Sequence, residues 1–106
     1  MVLENTINNL VIYSGRMKQY TNPLFEKALS EVPEYRKRLA RTSFDISDRI
    51  QTLMLKKGWN KTQLAQKTGK DNAEVTRWLS GGQNFTLKTI SLLETVFNAK
   101  IITVKQ

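Results

Sequence analysis

The sequence predicts an all-α fold: a compact domain of four or five short helices, with an N-terminal helical extension and room for one short C-terminal strand. Three observations carry this. A chain of 106 residues suits one domain with one modest core. Apolar residues recur at helical spacing through most of the chain after Asn22. Residues that start helices (Asn, Asp, Thr) and residues that stop them (Gly, Asn) punctuate those stretches in the right order.

Residues 1–21 are the least legible. Asn5, Asn8, Asn9 and the Ser14–Gly15 pair weaken any helix, although Ile7, Leu10, Val11 and Met17 share one helical face. Asn22 followed by Pro23 is a start signal, because Asn caps and Pro suits the first helical position. A short helix should run to Ser30, and Pro33 repeats the signal. From Glu34 a helix can continue to Lys57 on Tyr35, Leu39, Phe44, Ile46, Ile50, Leu53 and Met54. The apolar face shifts near Thr42, so a break with a new cap at Ser43 is an equal alternative. Gly58 ends the stretch.

Beyond Gly58 the punctuation is denser. Asn60 and Gln63 have capping-box spacing, and Trp59 with Leu64 has the spacing of a hydrophobic staple. This helix closes at Gly69, which takes the left-handed conformation at no steric cost. Asp71 should cap the next helix, with Glu74 as its reciprocal partner, and Ser80, Gly81 and Gly82 should break it. Thr86 caps a last helix whose inner face reads Ile90, Leu93, Val96 and Phe97, with Asn98 as its stop. The tail carries a β-prone run at 101–104.

Charge and missing residue types narrow the function. Seventeen basic against nine acidic residues leave a net charge of +8, which favours a polyanionic partner. With no cysteine there is no disulfide, thiolate metal site or thiol nucleophile. With no histidine the commonest general base and metal ligand is missing as well. The expectation is a protein without catalytic activity, cofactor or metal. The early apolar run at 10–13 falls far short of the roughly 20 residues of a membrane span and lacks the flanks of a signal peptide. A cytoplasmic protein without membrane contact is expected.

Two short helices joined by a tight glycine turn make a helix-turn-helix. Ala65 falls where the helices should cross, Gly69 makes the turn, and Val75 and Trp78 face Leu64 across the core. The outer face of the second helix is then free to enter a major groove. The stretch 61–80, KTQLAQKTGKDNAEVTRWLS, resembles the motif of the phage-repressor (Cro/C1, or XRE) family. The following GGQNFTLKTI resembles that family's loop and next helix. The resemblance spans 43–99, about half the chain, and implies a lambda-repressor-like DNA-binding domain. Residues 1–42 would then be the extension, and 100–106 a tail or dimerisation strand. Compact proteins of this type also resemble, more loosely, the HigA-like antitoxins.

The resemblance implies roles for particular residues. The N-terminal part of the second motif helix reads bases: Asn72 on adenine, Ala73 on a thymine methyl, Arg77 on guanine, with Thr76 beside it. Lys61, Lys70, Gly82, Gln83, Asn84 and Lys88 are the candidates for phosphate contact. The family often has Gln where this chain has Lys61, which favours a phosphate contact there over a base or clamp contact. Blander readings compete. Asn72 can be a simple helix-start residue, and Glu74 is a cap partner before it is a cytosine acceptor. Trp59 and Trp78 fit staple and core better than base stacking. Asp45 and Asp48 read as first-turn charges that complement a helix dipole. Arg36, Lys37, Arg38 and Arg41 form a basic face that either is solvated or meets DNA or an acidic partner.

The resulting expectation is sequence-specific binding of duplex DNA, as a homodimeric transcriptional repressor on a palindromic operator. Two alternatives stand beside it. One is an antitoxin that also autorepresses its operon, with residues 1–42 engaging a toxin protein. The other is a protein-interaction module that has lost DNA binding.

Overall fold

In the computed structural model, residues 23–81 and 83–105 are described. They form five helices: α1 (Pro23–Ser30), α2 (Glu34–Lys57), α3 (Lys61–Thr68), α4 (Asn72–Leu79) and α5 (Leu87–Phe97). α1 starts at Pro23 and ends at Ser30, whose hydroxyl donates to the Lys27 carbonyl. α2 is continuous for 24 residues, with Pro33 before it and Gly58 closing it at φ 71°. The alternative of a break at Ser43 is therefore not realised: Ser43 is buried mid-helix and caps nothing. Asp45 and Asp48 consequently lie in the middle of α2, not in a first turn, so the dipole account of these two residues fails.

The caps of the later helices follow the sequence closely. Asn60 and Gln63 form a complete capping box, with both bonds at 2.8 Å. Asp71 accepts from the Glu74 N–H at 2.8 Å. The reciprocal bond expected from Glu74 does not form, because its carboxylate pairs with Arg77 instead. Thr86 caps α5 through the Thr89 N–H, and Asn98 closes it at φ 52°. Asn tolerates that left-handed conformation better than most residues with a Cβ.

The main core is one cluster built from α2 to α5: Ile46, Ile50, Leu53 and Met54 meet Leu64, Ala65, Val75, Trp78, Ile90, Leu93 and Phe97. Ile50, Leu64, Val75 and Leu93 are completely buried. Burying side chains of this size is worth roughly 1.5–3 kcal/mol each. Val32 and Ala40, with Leu29, form a separate small cluster between α1 and the first half of α2.

The tail differs from expectation. No strand occurs among the described residues. Ile101 and Ile102 lie half-buried against the main core, and both of their N–H groups donate to one Glu94 carboxylate oxygen, at 2.7 and 3.2 Å. The Arg49 guanidinium donates to the Lys100 carbonyl at 3.0 Å. A side chain thus satisfies the backbone donors that a strand partner would otherwise have to satisfy. The two N–H bonds and the nearby Lys100 charge hold the Glu94 carboxyl below the usual carboxylate range, with partial desolvation opposing them.

Candidate nucleic-acid interface

The site is made by α3, the turn at Gly69 and α4. Thr68 is buried at the end of α3, where its hydroxyl donates to the Leu64 carbonyl at 2.8 Å. The chain reverses at Gly69 with φ 73°, and the Lys70 N–H returns to the Ala65 carbonyl at 3.1 Å. This occupies the last carbonyls of α3 in the manner of a glycine C-cap. Ala65 is buried in the main core cluster with Leu64, Val75 and Trp78.

Val75 and Trp78 point inward from α4, and Trp78 is only 1% exposed. Its ring is therefore core and unavailable for stacking on bases. Trp59 is half-buried and stacks on Phe97, with centroids 5.4 Å apart and planes at 22°. The Lys67 ammonium stands 4.7 Å from the Trp59 ring centroid, within cation–π range.

With 75 and 78 inward, the residues at 72, 73, 76 and 77 form one exposed stripe. Asn72, Ala73, Thr76 and Arg77 are all exposed on it. Thr76 is partly committed, since its hydroxyl donates to the Asn72 carbonyl at 2.9 Å. Arg77 is paired with Glu74, Nη2 to Oε2, at 3.1 Å. Lys70 is exposed just before the α4 cap, and Lys61 and Lys88 are exposed in the first turns of α3 and α5. Gln83 and Asn84 lie in the α4–α5 loop, Gln83 half-buried and Asn84 exposed. Gly82 lies outside the described residues.

Three supports of α4 escape a reading of the sequence. The Ser47 hydroxyl, buried on α2, donates to the Trp78 carbonyl. The Gln51 amide reaches the Leu79 carbonyl at 3.4 Å. Gly81 is buried with φ 92° directly under the Phe44 ring. The first two join positions 31 and 28 residues apart, which no local pattern reveals. The Glu74–Arg77 pair, by contrast, has the i, i+3 spacing of neighbours on a helix, a local signal that the capping-box reading of Glu74 passed over. On the basic face of α2, Glu34 lies 3.7 Å from Arg38 and 3.2 Å from Arg41, so part of that charge is balanced.

Two short helices packed into one core with a buried alanine on the first, a left-handed glycine between them and a polar stripe facing outward on the second define a helix-turn-helix domain. Residues 50–102 match the sequence profile of a helix-turn-helix family, half of the chain. The protein belongs to this helix-turn-helix family, of the Cro/C1 (XRE) type, whose members bind DNA and regulate transcription. Comparison with curated proteins and comparison with solved structures each gave no match. Among the described residues no helix is long and apolar enough to cross a membrane, and no group of acidic residues is arranged to hold a metal ion.

Proposed function

We propose that the protein is a transcriptional repressor that reads a palindromic operator as a homodimer, with the outer stripe of α4 in the major groove. Asn72, Ala73, Thr76 and Arg77 make the base contacts, and Lys61, Lys70, Gly82, Gln83, Asn84 and Lys88 approach phosphates. The observation that carries this reading is the division of α4. Its inner residues are sealed into the core while four successive outward positions present a hydrogen-bond donor and acceptor, a methyl, a hydroxyl and a guanidinium. Dimer formation follows from affinity, since one eight-residue helix reads few base pairs and a second half-site extends the contact. The tail offers a pairing surface: beyond Ile102 it lies outside any helix, and Val104 is 77% exposed. Comparing Arg77→Ala with Lys61→Ala tests the assignment. The first should lose affinity on the preferred duplex alone, the second on every duplex. Equal losses by both variants on preferred and random duplex would refute it.

A second reading, an antitoxin that autorepresses its operon, draws on the segment before the matched residues. There, among the described residues, α1 and the start of α2 contribute Val32, Ala40 and Leu29 to a small cluster of their own, and Leu24 and Tyr35 are largely exposed. Sedimentation of the protein with the product of an adjacent gene tests for a toxin partner.

A further inference from the structure

We propose that Glu74 is a specificity-determining positioning residue. It holds the Arg77 guanidinium at the reading face and away from phosphates, so that Arg77 selects a base instead of adding affinity for any duplex. The inference rests on the reading of α4 as the base-contacting helix and deepens it.

The geometry has three parts. Glu74 sits at the third position of α4, where its N–H is fixed to the Asp71 carboxylate at 2.8 Å. Its own carboxylate does not complete a capping box but reaches forward one turn to Arg77 Nη2 at 3.1 Å. The Glu74 side chain is 33% exposed against 56% for Arg77, so the carboxylate forms the covered base of the pair and the guanidinium its outer end.

The chemistry follows from the guanidinium's shape. It carries five N–H donors in a rigid plane, arranged as two edges that each offer a parallel pair. A carboxylate oxygen that takes one Nη2 hydrogen leaves one edge whole, and a whole edge is what the N7 and O6 acceptors of guanine require. An unrestrained Arg would also satisfy itself on the nearest phosphate, which every duplex supplies. Beside Glu74 that contact brings a phosphate toward a carboxylate, and like charges repel. Only the correct base returns two hydrogen bonds without that repulsion. Glu74 therefore lowers affinity for DNA in general and raises the ratio of preferred to random binding.

The test uses full-length wild type, Glu74→Gln, Arg77→Ala and the double variant. The probes are the duplex that wild type selects from a random library, its single-base variants, and a random duplex of equal length. Glu74→Gln keeps the side chain's size and leaves the Asp71 cap intact. It should lower the preference at the base position that Arg77→Ala relaxes by about threefold, the scale of one exposed ion pair. In the Arg77→Ala background the same change should leave that position unaltered. Unchanged preference in Glu74→Gln, or the same loss with and without Arg77, would overturn the inference. So would an equal fall in affinity on selected and random duplex, the mark of a merely structural role. If Arg77→Ala itself relaxes no position, or wild type selects no duplex, the base-reading assignment falls and this inference with it.

Discussion

The hydroxyl of Ser47, buried on α2, donates to the backbone carbonyl of Trp78 near the end of α4, tying α2 to α4. Carbonyls in the last turn of a helix have no intrahelical partner, and a buried one needs a donor from elsewhere. Ser47→Ala should leave that carbonyl unsatisfied and cost about 1–3 kcal/mol. Urea titration of the variant checks this. Because the bond positions α4, DNA affinity should fall with stability. A variant as stable as wild type would show that the bond contributes little.

The two glycines that bound α4 should respond differently to substitution. At Gly69 a Cβ meets nothing within 4 Å, so Gly69→Ala suffers only the left-handed backbone penalty of about 1–2 kcal/mol. At Gly81 the same penalty is joined by a Cβ placed 2.6 Å from the Phe44 ring. Gly81→Ala should therefore destabilise more than Gly69→Ala, and Gly69→Val more than Gly69→Ala because of its branched side chain. Thermal melting of the three variants gives the ranking, and Gly81→Ala combined with Phe44→Leu should recover part of the loss.

Docking of the tail should depend on pH through Glu94. Its carboxyl titrates below the usual range because the charged form accepts from Ile101 and Ile102. A group whose folded pKa is depressed stabilises the fold above its unfolded pKa, and that contribution disappears as pH falls through the folded value. Amide exchange at Ile101 and Ile102 should accordingly be slow near neutrality and accelerate, beyond the intrinsic pH trend, once Glu94 protonates. Glu94→Gln should abolish this pH dependence, since a neutral amide oxygen still accepts but no longer titrates. Identical exchange profiles for wild type and variant would remove Glu94 from the account.

The legible parts of the chain were those with local causes. The Asn60–Gln63 box, the Gly69 turn and the Thr86 cap are written within four residues, and Val75 and Trp78 follow from helical periodicity against Leu64. What stayed hidden was set by contacts between distant segments. The tail at 101–104 reads as β from its branched residues, yet Glu94 in the last turn of α5 accepts from Ile101 and Ile102, the first two donors of that run. Glu74 has two spatial neighbours within reach, the N-terminal amides behind it and Arg77 ahead. A formal positive charge attracts a carboxylate more strongly than a neutral N–H. The boundary drawn at 42–43 falls inside α2 because a face shift can reflect one helix leaving one cluster and entering another, here from Val32 and Ala40 to Ile46 and Ile50.

Affinity for DNA should depend steeply on salt. The net charge of +8 supplies cations for several phosphate contacts, each adding about −0.9 to the slope of log affinity against log salt. Lys61→Ala and Lys88→Ala should each reduce the slope by about one contact, while Arg77→Ala should alter base preference more than slope. Fluorescence anisotropy on one duplex across a salt series measures all of them. A flat titration would separate the basic charge from DNA binding.

Repeated selection of random duplexes on full-length protein asks whether the outer stripe of α4 reads sequence in duplex DNA, as proposed. The wild-type protein should recover a site with two inverted half-sites about 10 base pairs apart, centre to centre. Arg77→Ala should recover the same site with one position per half-site relaxed, at a cost of about 1–3 kcal/mol on the original sequence. Enrichment of no sequence by the wild-type protein, or the same site recovered unrelaxed by Arg77→Ala, would contradict that reading.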